Sequence, residues 1–323
     1  MQQRILITGG AGFIGSHLCE SLLSTGNHVT AIDDLSTGRI DNILPLTQHP
    51  NFSFVRESIL NKQVLDQLCS RSDLVIHLAA AVGVKLIVEN PVRTIQTNVM
   101  GSEAILSAAN RHGCKVMLAS SSEVYGKGTR IPFSEGDDCL IGATTHSRWA
   151  YATSKAMDEF LGLAYHNQFN LPVVIMRFFN TIGPRQTGSY GMVVPRFVRQ
   201  ALTNTSVEVY GNGMQTRCFA DVQDVVRAIQ MLIEEENAVG EVFNIGSTQE
   251  ISIFQLAERI IKLSNSHSKI NFIPYEKAYA PGFEDMQRRV PNIDKLYNLT
   301  AFQPKFTLDD SLKGIITYQE SQI

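Results

Sequence analysis

The sequence has little that would suit it to nucleic acid or to a membrane. Its 323 residues carry a formal net charge of −3, and the 28 Lys and Arg residues form no cluster. Nucleic-acid-binding domains usually carry a basic stripe that meets the phosphates, so we expect no nucleic-acid partner. The longest apolar stretch, 74–86, is interrupted by His77, Gly83 and Lys85. It falls short of the roughly 20 apolar residues of a membrane helix, so we expect no membrane partner.

Cysteine is also scarce, and its five residues lie far apart: Cys19, Cys69, Cys114, Cys139 and Cys218. None of them forms a Cys-x-x-Cys pair, the spacing typical of zinc and redox sites. We expect reduced thiols, with neither disulfides nor a metal site. The first residues, 1–4, run into a strand-like segment without the charged leader and apolar region of a signal peptide. We therefore expect a cytoplasmic protein.

The first half of the chain alternates short apolar runs with helical patterns. The strand-like runs are 5–7, 29–32, 52–55, 74–78, 116–119 and 173–176, and the helical patterns include 13–23, 92–111 and 151–169. This alternation predicts an α/β fold, a doubly wound parallel sheet covered by helices on both faces. The second half is less regular, with helical patterns at 193–202, 222–236 and 253–263 and a strand-like run at 242–245.

A glycine-rich turn follows the first predicted strand and opens the first predicted helix. Its residues are Thr8, Gly9, Gly10, Ala11, Gly12, Phe13, Ile14 and Gly15. Glycine permits a tight turn there, and it lets backbone N–H groups reach a pyrophosphate at the helix N-terminus. We therefore predict a dinucleotide site whose cofactor-binding residues include Gly9, Gly12, Phe13, Ile14 and Gly15.

The second predicted strand is followed by an acid, which indicates the type of dinucleotide. Asp33 lies about twenty residues beyond the glycine turn, where a carboxylate can accept hydrogen bonds from ribose hydroxyls. This favours NAD over NADP, although Arg39, a little further on, is a residue type that can hold a 2′-phosphate. Small residues such as Ala79 end the fourth strand and would let the backbone approach the cofactor. Asn98, in the following helix, is a further candidate for binding the cofactor, but it could equally have a purely structural role.

A serine, a tyrosine and a lysine form the candidate catalytic group. Ser122 follows the fifth predicted strand, and Tyr151 and Lys155 lie four residues apart at the start of a helix, on one face. A lysine ammonium beside a phenol, near the positive nicotinamide ring of the cofactor, favours the phenolate and lowers its pKa, which would make Tyr151 a usable base. Ser122 would orient the substrate hydroxyl. A non-catalytic dinucleotide-binding scaffold is disfavoured, because it would not need both Tyr151 and Lys155.

Together these motifs resemble the extended short-chain dehydrogenase/reductases that modify nucleotide sugars, and the likeness covers nearly the whole chain. The resemblance implies a Rossmann NAD-binding domain over 1–176, to which residues of about 218–248 return, and a smaller mixed α/β sugar-nucleotide-binding lobe over 177–323. It also implies a homodimer joined through the helices 92–111 and 151–169, and a Ser–Tyr–Lys catalytic trio at Ser122, Tyr151 and Lys155.

The second half contains segments similar to the substrate-binding segments of that family. They are 177–180, 183–185 and 209–217. The resemblance makes Asn180, Arg185 and Arg217 candidates for the substrate, with Asn180 and Arg217 at its pyrophosphate, where a guanidinium suits anionic oxygens. It makes Tyr210 a candidate for contact with the nucleotide base. The substrate class implied is a UDP-sugar.

Enzymes of this kind first oxidise C4 of the sugar to a ketone. Three features then favour a UDP-glucuronate decarboxylase: Glu123 directly after the catalytic serine, Arg148 three residues before the tyrosine, and Arg289 in the segment 282–291. They resemble UDP-xylose synthases, and Arg148 or Arg289 could hold the carboxylate of a uronate, while Glu123 could donate or accept a proton or bind sugar hydroxyls.

Two other reactions stay open. The loop 79–84 is more similar to that of 4-epimerases, since decarboxylases often carry prolines there. Glu123 also fits dehydratases, which use an acid beside the catalytic serine or threonine. Arg289 could instead pair with Glu284 or Asp285 at the surface, and Arg148 could simply cap its helix or stack.

Overall fold

The computed structural model describes residues 2–83, 90–188, 191–278 and 286–323. Its strands are β1 (Arg4–Thr8), β2 (His28–Ile32), β3 (Phe52–Val55), β4 (Leu74–His77), β5 (Lys115–Ser121), β6 (Val173–Phe178), β7 (Thr181–Ile182), β8 (Val207–Tyr210), β9 (Thr216–Cys218), β10 (Ala220–Asp221), β11 (Val242–Ile245), β12 (Glu250–Ser252) and β13 (Ile270–Ile273). Its helices are α1 (Phe13–Ser24), α2 (Lys62–Cys69), α3 (Pro91–Ile95), α4 (Gly101–His112), α5 (Trp149–Phe169), α6 (Val193–Leu202), α7 (Val222–Glu234), α8 (Ile253–Leu263), α9 (Tyr275–Ala278), α10 (Asp294–Thr300) and α11 (Leu308–Glu320).

The main sheet has seven strands in the order β11-β6-β5-β4-β1-β2-β3. Every neighbouring pair in it is parallel. The order from β3 to β6 through β1 is that of a dinucleotide-binding Rossmann sheet, in which the strand order reverses beside β1. The predicted α/β fold with a doubly wound parallel sheet is confirmed.

Both faces of the sheet are buried, as alternate residues of β1 show. Ile5 and Ile7 pack in one apolar cluster with α1 and α7, whereas Leu6 packs in another with α4. Successive side chains of a strand point to opposite faces, so a strand covered on both sides is apolar throughout. This is why the strands read as continuous apolar runs in the sequence.

Much of the second half packs around its own apolar cluster. Helices α6, α8 and α11 meet there through residues such as Phe197, Leu256 and Ile315. Short strand pairs join β7 to β10, β9 to β12 and β8 to β13. Strand β11, in contrast, lies at the edge of the main sheet beside β6, and β6 itself ends at Phe178. The proposed division into lobes at residue 176 stays a prediction.

The predicted helix 92–111 is helical but not uniform. Helix α3 continues into a π-helical segment, Gln96–Met100, which leads directly into α4. Such π-helical turns widen a helix locally and are frequent at functional sites.

A search of the helices in the described ranges for a possible membrane span found none with the length and apolar character that crossing a bilayer requires.

Candidate active site

A cavity of about 650 Å³ opens at the carboxyl ends of the sheet strands, where ligands of such sheets bind. Residues from both halves of the chain line it. Among them are Gly9, Gly12, Phe13, Ile14, Gly15, Asp33, Ala79, Ser122, Glu123, Arg148, Tyr151, Lys155, Asn180, Tyr210, Arg217 and Arg289. The structure therefore gathers most of the predicted site residues around one space.

At Gly9 and Gly15 the glycine turn leaves no room for a side chain. Gly9 has a left-handed φ of +70°, and a Cβ atom there would lie 2.9 Å from Cα of Ala79. A Cβ atom at Gly15 would lie 2.2 Å from the carbonyl oxygen of Gly9. The turn thus brings strands β1 and β4 and the start of α1 together without side chains between them. This arrangement fits a dinucleotide pyrophosphate at the N-terminus of α1.

Asp33 follows β2 and is held by the backbone beside the glycine turn. Its carboxylate accepts hydrogen bonds from N–H of Ala11 at 3.0 Å and of Leu35 at 2.8 Å. Burial raises the pKa of Asp33, and these backbone hydrogen bonds oppose that rise. The alternative anchor, Arg39, is exposed and pairs with Asp41 at 3.2 Å. The geometry therefore favours a ribose with free hydroxyls over one with a 2′-phosphate.

Asn98 lies in the π-helical segment, and both ends of its amide bond the protein. Its Oδ1 accepts from N–H of Ala81 at 2.8 Å, and its Nδ2 donates to Oγ of Ser154 at 3.0 Å. These bonds tie the loop after β4 to helix α5. N–H of Ala79 donates to Oγ1 of Thr8 at 3.1 Å, which fixes the same loop to β1. Asn98 thus supports the loop that faces the cofactor site. The loop 79–84 is described only to Gly83, so Val84 lies outside the described residues.

Ser122, Tyr151 and Lys155 lie together at the cavity wall. Ser122 begins a short 3₁₀ helix directly after β5, and the hydroxyl of Ser121 caps that helix. Tyr151 and Lys155 lie one turn apart on α5, and all three predicted catalytic side chains are buried. The positions fit the predicted trio, whose roles stay a prediction.

The predicted lowering of the pKa of Tyr151 by Lys155 beside the nicotinamide ring stays a prediction, and the protein's own side chains have the opposite effect. Burial, and after it the charge of Glu123, raises the pKa of Tyr151 above its ordinary value, against a hydrogen bond with Ser121. The ammonium of Lys155 donates to Oδ2 of Asp158 at 2.6 Å. Because this carboxylate faces the lysine directly, it offsets the positive charge that was expected to lower the pKa of the phenol.

Glu123 is clamped between two arginines. Its Oε2 lies 2.6 Å from Nη1 of Arg148, and its Oε1 lies 2.7 Å from Nη2 of Arg289. Nη1 of Arg289 also donates to Oγ of Ser122 at 3.5 Å. Burial would raise the pKa of Glu123, but the charges of Arg289 and Arg148 outweigh it and lower the pKa to about 2. Glu123 is therefore ionised near neutral pH, which leaves it without a proton to donate.

The sequence also allowed Arg289 to pair with a surface acid and Arg148 to cap its helix or stack. Arg289 is only 6 % exposed and faces Glu123, while Glu284 and Asp285 lie outside the described residues. Arg148 precedes α5 without capping it through its side chain, and its guanidinium also lies 5.4 Å from the ring of Trp149. Both guanidiniums line the cavity.

The predicted substrate residues of the second half are held by nearby backbone or charges. Nδ2 of Asn180 donates to the carbonyl of Cys218 at 3.0 Å, and Nη1 of Arg217 donates to that of Thr216 at 2.8 Å. Arg185 is placed differently, because its guanidinium pairs with Glu20 of α1 at 3.0 Å. The substrate role of Arg185 stays a prediction, as do the others.

Two functional candidates were missed in the sequence. The guanidinium of Arg196 in α6 lies 4.0 Å from the ring centre of Tyr210, and both residues line the cavity. Asp158 pairs with Lys155, as described above. Asp158 could have been found from its spacing, since residues three apart on a helix are neighbours. Arg196 gives no such signal, because β8 brings Tyr210 to it from elsewhere in the chain.

Among the described residues, no group of three or more His, Cys, Asp or Glu could hold a metal ion.

The fold and this site define a dinucleotide-dependent short-chain dehydrogenase/reductase. Residues 5–246 match the NAD dependent epimerase/dehydratase family. The chain is 46% identical, over 98% of its length and of the relative's, to a UDP-N-acetyl-alpha-D-glucosaminuronate decarboxylase of Bacillus cytotoxicus. It is 36% identical to UDP-glucuronic acid decarboxylase 1 of Xenopus tropicalis, over 100% of this chain and 73% of that one.

A solved structure extends the likeness. UDP-glucuronic acid 4-epimerase of Bacillus cereus, in complex with UDP-glucuronic acid and NAD, matches with a TM-score of 0.89 and 32% identity. The match covers 99% of this chain and 100% of that one. The chain belongs to the NAD dependent epimerase/dehydratase family, as the sequence motifs predicted.

Proposed function

We propose that this chain is an NAD-dependent UDP-hexuronate decarboxylase. The observation that carries the proposal is the buried cluster of Glu123, Arg148 and Arg289 in the cavity, beside Ser122. A hexuronate brings a carboxylate on C5, and a guanidinium is the side chain best shaped to hold a carboxylate through two hydrogen bonds. An uncharged hexose gives no reason to bury two guanidiniums beside the catalytic serine.

The residues around the sugar divide the chemistry between them. NAD⁺, held at the turn of Gly9 and Gly15, would supply the acceptor and later the donor of a hydride at C4, and the positive charge of its ring. Tyr151 takes the proton of the C4 hydroxyl and gives it back to the same oxygen at the end. Ser122 orients that hydroxyl, and Lys155 holds the cofactor ribose beside Tyr151.

Loss of carbon dioxide follows from the ketone at C4. The carboxylate on C5 then belongs to a β-keto acid, so the bond from C5 to the carboxylate breaks and its electron pair moves into the ketone as an enolate. A proton taken from solvent water adds to C5 and restores the ketone, which is then reduced. Arg148 and Arg289 hold the carboxylate until it leaves. Since Glu123 is ionised, we assign to it the orientation of the guanidiniums and not proton donation.

The cofactor and the nucleotide bind at opposite parts of the cavity in this proposal. The turn with Gly9 and Gly15 holds the pyrophosphate of NAD, Asp33 holds the adenosine ribose, and Asn98 supports the loop of Ala79 beside the cofactor. Toward the second half, we assign the pyrophosphate of the UDP-sugar to Asn180 and Arg217, and the base to Tyr210 with Arg196 stacked on it. Arg185, which pairs with Glu20, stays a candidate for the substrate.

The group on C2 of the sugar can be a hydroxyl or an acetamido group. The prediction from the sequence is UDP-glucuronate, the substrate named for the relatives at about one-third identity. The relative at 46% identity is named for UDP-N-acetyl-glucosaminuronate, which differs at C2. Both hexuronates therefore belong in the first assay.

Epimerisation at C4 is the second candidate. The epimerase of Bacillus cereus is named for UDP-glucuronic acid, the same hexuronate, and matches almost the whole chain. An epimerase would keep the carboxylate and invert C4. Dehydration is the third reaction that begins with the same ketone.

Mass spectrometry of the sugar nucleotide separates these reactions. The purified protein is incubated with NAD⁺ and either UDP-glucuronate or UDP-N-acetylglucosaminuronate, with UDP-glucose as a ligand that lacks the carboxylate. We expect the mass of carbon dioxide to be lost from a hexuronate and UDP-glucose to be left unchanged. A product of unchanged mass, or one that has lost water, would replace the proposal by epimerisation or dehydration.

We also propose that the protein is a cytoplasmic homodimer. Apolar side chains are exposed along α3, the π-helical segment and α5, and they include Val92, Ile95, Met100, Met157, Phe160 and Phe169. Phe160 alone is 71 % exposed. A second copy packed on this face would remove these side chains from water. Sedimentation should show a dimer for the wild type and a monomer for Phe160→Glu; a wild-type monomer would contradict the proposal.

A further inference from the structure

Lys155 is held by the carboxylate of Asp158, which is even less exposed than Lys155 itself. The side chain of Asp158 is 0% exposed and that of Lys155 is 3% exposed, with Nζ and Oδ2 at 2.6 Å. Asp158 lies three residues beyond Lys155 on α5, so the two side chains share a helix face. Burying a carboxylate is costly unless a partner of opposite charge faces it. The arrangement therefore fixes the position of Lys155 relative to Tyr151 on the same helix.

A chain of polar side chains continues behind Asp158. Burial raises the pKa of Asp158, and this rise is opposed by Lys155 and by the nearby hydroxyl of Ser102, on α4. Oδ1 of Asp158 has no hydrogen bond of good geometry in the described part of the chain. Oγ of Ser102 lies 3.2 Å from Nε2 of His77, and Nδ1 of His77 lies 2.7 Å from Oγ1 of Thr8. These residues connect α5 to the ends of β4 and β1, directly below the cofactor turn.

We propose that Asp158 is a positioning residue that holds Lys155 in place and sets the pH range in which Tyr151 works as a base. The reason is electrostatic: a negative charge beside the lysine weakens the positive field that would otherwise favour the phenolate of Tyr151. The proposal rests on Tyr151 acting as the base, a role common to decarboxylation, epimerisation and dehydration at C4.

Other charged side chains also lie near Tyr151 and Asp158 and could influence the pKa of Tyr151. Glu123 and Arg289 face Tyr151 from outside α5, and Asp158 also raises the pKa of Tyr151. Asp158 faces Lys155 and Glu159 of its own helix. Burial, followed by the charge of Lys155, lowers the pKa of His77 to about 3, so that His77 stays neutral throughout the assay range. Removing the charge of Asp158 leaves the other groups in place.

The test is the pH profile of kcat/KM for whichever UDP-sugar the enzyme converts, measured on the holoenzyme. Asp158→Asn keeps the shape of the side chain and an oxygen for Lys155, but removes the charge. We expect the acidic limb of the profile to move to lower pH by about 1 unit. The control is Asp294→Asn, at an exposed position away from α5, which should leave the limb in place.

The results separate a catalytic influence from a merely structural one. A lower melting temperature with an unmoved acidic limb would overturn the proposal, as would a move to higher pH. If Asp158→Asn does not fold, Asp158→Ser, which also removes the charge, must show the same shift, and an unmoved limb in it refutes the proposal. Because the profile is read on any converted UDP-sugar, a failed decarboxylation would leave this test intact.

Discussion

Replacing Arg289 by methionine tests how the site recognises a carboxylate. The change keeps an unbranched apolar stem but removes the guanidinium that lies 2.7 Å from Glu123 and 3.5 Å from Ser122. Of the two guanidiniums that pair with Glu123 in the described part of the chain, Arg148 would then remain. A substrate carboxylate at this place would lose one of the two guanidiniums that we assign to it.

The expected magnitude follows from the burial of this contact. A hydrogen bond to a charged group contributes about 1.5–3 kcal/mol, and the loss of one partner of a buried charge pair costs about 3–5 kcal/mol. For substrate binding and turnover together we expect kcat/KM on the hexuronate to fall by roughly 10²-fold or more. The affinity for UDP-glucose should change by less than about 3-fold, because this ligand has no carboxylate for Arg289 to hold.

The neighbouring residue supplies a matched control. Arg288 is exposed and pairs with Glu250 at 2.8 Å, so Arg288→Met removes the same charge one residue away from the site. Exposed pairs contribute little, and kcat/KM should change by less than about 2-fold. Steady-state kinetics on the hexuronate and calorimetric titration with UDP-glucose give the two quantities. Equal losses for both ligands in Arg289→Met, or equal kinetics in both variants, would refute the assigned role.

Two further outcomes follow from the same site. Tyr151→Phe should reduce turnover by more than about 10³-fold while NAD stays bound, because only the proton acceptor is removed; near-wild-type activity would disprove the assigned base. The second concerns acid stability. The folded-state pKa of Glu123, about 2, lies below its ordinary value of 4.5. Ionised Glu123 therefore contributes about 3 kcal/mol to the free energy of unfolding above about pH 4.5. This contribution is lost as the pH falls toward 2. In urea unfolding, the stability difference between wild type and Glu123→Gln should therefore shrink to about half at about pH 3; a difference independent of pH would contradict it.

The parts of the structure that could be predicted are those encoded locally. Strand runs such as 52–55 and 242–245 and the helix 253–263 lie where the sequence places them, because burial on one or both faces imposes a period on the residues. The glycine turn could be read for the same reason: Gly9 and Gly15 occupy positions where any side chain would collide with the backbone. The uneven helix at 91–112 could not, since its apolar pattern does not distinguish a π-helical turn from an α-helical one.

The parts that escaped prediction depend on contacts between distant segments. Glu123, Arg148 and Arg289 come from three separate parts of the chain, and only the folded structure shows that the carboxylate lies between both guanidiniums. Its low pKa disfavours proton donation, one of the roles that the sequence left open, and does not decide between the others. The spacing of Lys155 and Asp158 places them on one helix face, but only the folded structure shows that the carboxylate lies 2.6 Å from the ammonium.

Following the carboxylate carbon shows whether the protein removes it from a UDP-hexuronate. UDP-glucuronate and UDP-N-acetylglucosaminuronate labelled with ¹³C in the carboxylate are incubated with the protein and NAD⁺ and observed by ¹³C NMR. We expect the label to leave the sugar nucleotide and to appear as carbon dioxide and bicarbonate, while Tyr151→Phe leaves it in place. A label that stays on the sugar while C4 inverts would rule out decarboxylation and identify an epimerase.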